Sequence, residues 1–403
     1  MAALDGLRIL DMTQYEAGTA CTQALAWLGA DVVKIEPPKT GDPGRGVARG
    51  STDSEYFTVW NSNKRSVVID LAKPEGRQLL LDMAPNYQVF IENYGPGVVE
   101  RLNIGYDVMK EINPSIIYAR IKGFGLDGPW ADYKCYDMVG QAAASAFSIT
   151  GEADGPPMRP GPTTGDAGTG VQMALAISAA YVQKLKTGKG QLIELSMQEA
   201  MTYYLRTATA STNFGEQTTP RTGNGEMATM TLYPCKGGGA NDYIYVMAVT
   251  PRMWESMCAV IDREDLLKDK RFVHAADRYE NREALRTEIT AWTMKRDKYT
   301  AMQELAEGGV PASAILDTKD LYTNPHLVER GFIHTVQHEV HGEIKLLGWP
   351  ARMSESQVPI TGSPRLGAHS REVLQGDLGL LDADLDALMS SEVISQAAPL
   401  DKS

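Results

Sequence analysis

The chain has 403 residues, 43% of them hydrophobic, more than a single core usually organises, which points to two domains. Its 39 basic and 51 acidic residues leave a formal net charge of −12, which excludes a general affinity for nucleic acid or anionic membrane, so an anionic ligand needs a local basic patch. Four scattered cysteines (Cys21, Cys135, Cys235, Cys258) show no metal or disulfide spacing, and no apolar run is long enough to span a bilayer; the expectation is a cytoplasmic protein with no metal.

Leu7 to Met12 reads as a short buried strand, Ala17 to Leu28 as a helix and Asp31 to Ile35 as a second strand, together a βαβ unit. The alternation continues with strands at Ser66 to Ile69, Gln88 to Ile91, Ile116 to Ile121 and Gln191 to Leu195, and with a helix opened by Pro74 and running to Met83. Strands separated by helix-length segments predict a mainly parallel sheet covered on both faces. Residues 1–205 therefore read as the N-terminal part of a large α/β domain. Residues 206–309 read as a linker and a small α+β domain, with a strand pair at Met230 to Pro234 and Tyr243 to Ala248. From 310 to 403 strand signals return (Ala314 to Leu316, Phe332 to Val336, Glu343 to Leu347), which predicts a return to the large domain.

Gly123-Phe124-Gly125-Leu126-Asp127-Gly128 matches G-x-G-x-x-G, but Pro129-Trp130 follows where the dinucleotide fingerprint needs a helix. His334 and His338 are spaced i, i+4 in a strand-like stretch with no acidic partner, which reads as surface rather than metal. The most informative stretch is Gly165-Asp166-Ala167-Gly168-Thr169-Gly170, ahead of a long apolar run. A carboxylate among small residues can attack an acyl carbon; the same placement also suits a helix N-cap, and the two roles are compatible. With an ordinary pKa near 4, such an Asp is expected to be ionised at neutral pH and to need no general base.

Several motifs recur in a fixed order: Leu28-Gly29-Ala30-Asp31-Val32-Val33-Lys34-Ile35-Glu36, Asn63-Lys64-Arg65-Ser66, Glu92-Asn93-Tyr94-Gly95-Pro96-Gly97, Gly165-Asp166, Thr187-Gly188-Lys189-Gly190-Gln191, Arg221-Thr222-Gly223-Asn224, Asp269-Lys270-Arg271-Phe272 and Leu366-Gly367-Ala368-His369. In these the chain resembles the family III CoA-transferases (the CaiB/BaiF family) over nearly its whole length. The resemblance implies a Rossmann-like large domain made from both chain ends, a small middle domain, and two chains interlocked as a homodimer. It implies transfer of CoA from an acyl-CoA donor to a small carboxylic acid through an aspartyl anhydride and an enzyme-CoA thioester, with Asp166 as nucleophile and no tightly bound cofactor. Carried over position by position, Ile69, Asn93, Tyr94, Arg101 and Lys134 would line the CoA site. Arg101 and Lys134, read alone, are equally ordinary surface residues.

Glu16, Tyr136 and the Gly223-Asn224-Gly225 loop would face the substrate or its oxyanion, although the loop also reads as a plain tight turn and Tyr136 as a packed core residue. Members that use oxalate carry Gln where Glu16 stands, Trp at Val47, paired Arg at Pro37 and Pro38, and four glycines where this chain has Gly223-Asn224-Gly225-Glu226. These departures imply a roomier pocket, an acid larger than oxalate, and succinyl-CoA or a similar donor. Two other readings stay open. A 2-methylacyl-CoA racemase or epimerase would use an acid/base pair at Tyr136 and Asp137, where a phenol of ordinary pKa near 10 replaces the usual His. An inactive CoA-binding partner subunit is the second, and the retained Gly165-Asp166 speaks against it.

Overall fold

The computed structural model describes residues 1–47 and 53–397, which divide into two compact units. The first comprises residues 1–146, 159–217 and 331 onward; the second comprises 147–158 and 218–330. In chain order the strands are β1 (Arg8–Met12), β2 (Asp31–Glu36), β3 (Arg65–Ile69), β4 (Val89–Glu92), β5 (Ile117–Lys122), β6 (Gln191–Ser196), β7 (Met230–Pro234), β8 (Tyr243–Met247), β9 (Ala312–Ala314), β10 (Ile333–His338), β11 (Gly342–Leu347) and β12 (Ile394–Ser395). The helices used below are α1 (Ala17–Trp27), α2 (Glu55–Asn61), α3 (Pro74–Met83), α4 (Val98–Arg101), α5 (Tyr106–Ile112), α6 (Asp137–Ala143), α7 (Thr169–Thr187) and α8 (Met197–Tyr204).

The first unit is a mixed α/β fold around a seven-stranded sheet of order β12-β3-β2-β1-β4-β5-β6. Six strands are parallel; β12 alone runs antiparallel, pairing Ile394 with Ile69. Such a sheet must be buried on both faces, and the near-continuous apolar strands Arg8–Met12 and Val89–Glu92 are built for that. One face packs against α1 and α7, whose fully buried residues include Cys21, Leu25, Met173 and Ile177; the other packs Leu80, Phe90 and Tyr118 with the C-terminal Val373, Leu374 and Leu385. Gly170 permits the close approach of α7 to α1, because a Cβ there would lie 2.6 Å from Ala17 O. Gly188, at φ 70°, closes α7 in the left-handed conformation that L side chains avoid. Among the described residues no helix is long and apolar enough to cross a membrane.

The second unit holds the antiparallel sheet β7-β8-β9 and its own apolar core, centred on Trp254, Phe272 and Leu285. The chain returns to the first unit at Gly331 rather than at residue 310, because Ala312 and Ala314 of β9 pair with Val246 and Ile244 of β8. The stretches expected as returning strands near 332 and 343 do not join the large sheet either. They form the hairpin β10-β11, which packs Val336 and Leu346 onto the α1/α7 core. His338 on that hairpin is buried, not a surface residue, with Nε2 3.0 Å from Ser363 Oγ.

Candidate active site

In the strand order of the large sheet, β1 lies between β2 and β4, so the chain reverses direction of winding there. Loops at the carboxyl ends of strands diverge at such a point and leave a crevice. Here the crevice is a cavity of about 280 Å³. Gln14, Tyr15 and Glu16 line it after β1, Asn93 and Tyr94 after β4, Lys122 at the end of β5, and Lys134, Tyr136 and Asp166 complete the wall. Two reciprocal bonds fasten the β1 and β4 loops across the switch: Gln14 N–H donates to Asn93 Oδ1 at 2.8 Å, and Asn93 Nδ2 donates to Gln14 O at 2.9 Å.

Asp166 is half-buried in a single π-helical turn, Thr164–Gly168, that leads into α7. It does not cap that helix; no side-chain cap bond is made at either start, so the capping role considered from the sequence is not the one it plays. Its backbone N–H donates to Asp137 Oδ1 at 3.0 Å. Gly165 makes this contact possible, since a Cβ there would lie 2.6 Å from Asp137 O and 2.7 Å from Asp137 Oδ1. Asp137, at the start of α6, is held further by Gln141 Nε2, which donates to both carboxylate oxygens at 3.0 Å and to Pro162 O at 3.0 Å. Glu16, just ahead of α1, is buried; Thr163 Oγ1 donates to its Oε1, and Tyr56 OH donates to its Oε2 at 3.5 Å.

Three carboxyl groups thus converge. Burial first, then the charges of Glu16 and Asp137, push the Asp166 carboxyl up to about 8. Burial, with Asp137 adding to it, raises Glu16 to about 7 against the opposing pull of the Thr163 and Tyr56 hydroxyls. The expectation of an Asp166 fully ionised at neutral pH is therefore corrected: the ordinary carboxyl value does not apply once two acids and a partly dry wall surround it. Tyr136 is largely exposed, its ring edge-on to Tyr15 at 5.9 Å, and is not a packed core residue. Lys122 donates to Glu92 Oε2 at 2.9 Å and to Tyr94 O at 2.5 Å; Glu92 also pairs with Arg120, and Arg120 with Glu100, so the charge of Lys122 is balanced within that cluster.

Of the residues singled out from the sequence, Glu16, Asn93, Tyr94, Lys134, Tyr136 and Asp166 share this cavity. Ile69 does not: its side chain is 1% exposed and belongs to the core beneath β3. Arg101 sits on α4 outside the lining. Gly223, Asn224 and Gly225 belong to the second unit, where Gly223 N–H donates to Gly151 O and Gly225 N–H to Thr222 O, each at 2.9 Å. Both N–H groups are therefore engaged as in a tight turn. The sequence reading missed Thr163, Gln141 and Tyr56, which carry no motif of their own. Gly123 to Gly128 form a loop with no helix following, and among the described residues no cluster of three or more His, Cys, Asp or Glu is arranged to hold a metal ion.

The model of CoA-transferase family III matches residues 4–370. A Streptomyces avermitilis protein named formyl-CoA:oxalate CoA-transferase is 38% identical over 410 residues, spanning 97% of this chain and 99% of the relative. A Rhodopseudomonas palustris protein of the same name is 37% identical, spanning 94% of each. Among solved structures, a CaiB/BaiF family protein from Brucella suis is 29% identical with a TM-score of 0.84, over 93% of this chain and 99% of that one. Rv3272 from Mycobacterium tuberculosis is 26% identical with a TM-score of 0.80, over 93% and 99%.

Proposed function

The chain belongs to CoA-transferase family III, and we propose that it moves CoA from an acyl-CoA to a carboxylic acid with Asp166 as the group that carries the acyl fragment. The observation that supports this is the position of Asp166: on the wall of the switch-point cavity, its carboxylate without a hydrogen bond or ion pair among the described residues, and so free to meet a substrate. The ionised carboxylate attacks the thioester carbonyl; the new C–O bond forms, the C–S bond breaks, and a mixed anhydride and CoA result. The sulfur then attacks the aspartyl carbonyl, releasing the donor acid and leaving an enzyme thioester, and the acceptor acid reverses the two steps. A carboxylate is a weak nucleophile in water, so positioning must supply the rate, and effective molarities of about 10⁵ to 10⁸ M show the size such positioning reaches.

Asn93 and Tyr94 on the wall are proposed to hold the CoA arm. Lys134, exposed at the rim, and Arg101 of α4 are proposed to meet its phosphates. The relatives named above act, by their names, on formyl-CoA and oxalate. In this chain Glu16 and Asp166 face the cavity while Lys122 is balanced within its cluster with Glu92, Arg120 and Glu100, so a compact dianion finds little positive charge. We therefore propose an acceptor larger than oxalate, with succinyl-CoA or a similar donor; steady-state rates that favour oxalate over larger acids overturn this. Interlocking of two chains is proposed as well, supported by Leu175 and Leu185, both mostly exposed along α7 of the single chain; a monomer in light scattering refutes it. The decisive experiment for the chemistry is intact-protein mass spectrometry after acyl-CoA and hydroxylamine. A hydroxamate at Asp166 is expected, and its absence with a competent donor removes the assignment.

A further inference from the structure

The carboxyl groups at the cavity differ in the kind of partner they face. Among the described residues Asp137 meets only N–H donors, from Gln141 and the Asp166 backbone, and is held as an acceptor. Among the described residues the side chain of Glu16, 3% exposed, meets only hydroxyls, Thr163 on one oxygen and Tyr56 on the other. A hydroxyl donates to a carboxylate and accepts from a carboxylic acid, so the site satisfies Glu16 with or without its proton. Thr163 also links the two acids, since its carbonyl accepts Asp166 N–H at 3.2 Å. Among the described residues the charged and titratable groups around Glu16 are Asp166 of the π turn, Asp137 of α6, Tyr56 of α2 and Tyr15 beside it, with Tyr94, Tyr133, Cys135, Tyr136, Lys122 and Lys134 on the cavity wall. Among the described residues no Lys, Arg or His forms an ion pair with Glu16, Asp137 or Asp166.

Resting on the reading of Asp166 as acyl carrier, we infer that Glu16 is the proton carrier of the reaction, protonated while Asp166 is a free carboxylate and ionised while the mixed anhydride stands. In the first step the Asp166 oxygen bonds the thioester carbon, the C–S bond breaks, and Glu16 passes its proton to the departing sulfur, giving neutral thiol and a Glu16 carboxylate. In the second, Glu16 takes that proton back as the sulfur attacks the aspartyl carbonyl and the donor acid leaves as its carboxylate. No outside acid or base is consumed. Burial and mutual repulsion hold both carboxyls well above the ordinary range, Glu16 at about 7 and Asp166 at about 8, so near neutral pH the pair shares one proton; it rests more on Asp166, and the reactive form is the minor one with the proton on Glu16.

Only the form with one proton on the Glu16/Asp166 pair is active, so kcat/KM of the wild-type chain is expected to be bell-shaped in pH. Glu16→Gln keeps the size and the hydroxyl partners but carries no exchangeable proton. It is expected to lower kcat on the order of 10²-fold and to lose the alkaline fall, leaving a single acid limb set by Asp166 alone. Glu16→Asp, which retains a carboxyl, is expected to keep the bell at a reduced rate. A wild-type profile without an alkaline limb overturns the inference without recourse to any variant, as does a Glu16→Gln profile that remains bell-shaped. Hydroxylamine trapping on the same wild-type samples separates the two readings: no hydroxamate at Asp166 removes the nucleophile itself, whereas hydroxamate with an unchanged Glu16→Gln profile removes only the proton carrier.

Discussion

Replacing Asp166 by Asn should make the chain more stable, and increasingly so as the pH rises. The folded carboxyl holds its proton up to about 8 against an ordinary 3.8, so it binds protons more tightly folded than unfolded. That preference favours the native state fully below the ordinary carboxyl value and is lost as the pH climbs through the folded one. Each unit is worth about 1.4 kcal/mol, which sets a ceiling near 6 kcal/mol at alkaline pH. Screening by solvent on the open side of the cavity brings the expected penalty to about 2 kcal/mol. Asn carries no charge and escapes it. At about 2 °C of Tm per kcal/mol for a domain of this size, Asp166→Asn should melt about 4 °C higher than wild type at pH 8.5 and at the same temperature near pH 4. Scanning calorimetry at the two pH values is the test. Equal melting at pH 8.5, or an equal gain at both, refutes the picture of an acid strained by burial and by its neighbours.

Three further outcomes are expected. Gly165→Ala drives a Cβ into Asp137 and should reduce transfer by about 10²-fold through misplacement of Asp166, read as kcat at saturating substrate; unchanged kcat counts against the packing argument. Arg45→Met breaks a buried cluster in which Arg45 pairs with Glu36 at 2.7 Å and also holds Asp53, and should destabilise by about 3 to 5 kcal/mol in denaturant unfolding, with an unaltered midpoint as the contrary result. In D₂O, a 2-methylacyl-CoA should return without deuterium at its α carbon, because among the described residues no histidine lines the cavity beside Tyr136; mass spectrometry showing exchange favours racemisation instead.

The parallel sheet was legible because β1 to β6 are short apolar runs separated by helix-length segments, and that alternation admits few topologies. β9 was misplaced because three residues carry no address: the hydrogen bonds of β8 decide where Ala312–Ala314 goes. The hairpin β10-β11 read as strand, yet nothing in Ile333–His338 distinguishes a sheet member from a flap packed over α1 and α7. The turn that carries Asp166 to the cavity wall was legible through its glycines, and Gly165 makes room for Asp137. The protonation of Asp166 was not, because Glu16 lies 150 positions away in sequence and is tied to it through Thr163, a residue with no signature. Gln141 was invisible for the same reason, its role being a contact rather than a pattern.

The last strand has a consequence for how this protein must be made. β12 contributes only two residues, but it covers the outer edge of β3, which otherwise shows a row of unpaired N–H and C=O groups. Ile394 pairs with Ile69, 325 positions before it in the chain (394 − 69), so β3 is made long before the strand that covers its edge. Until β12 is made the sheet therefore waits with a sticky margin exposed, and chaperone cover, or slow dilute expression, should matter more for this chain than its acidic composition suggests.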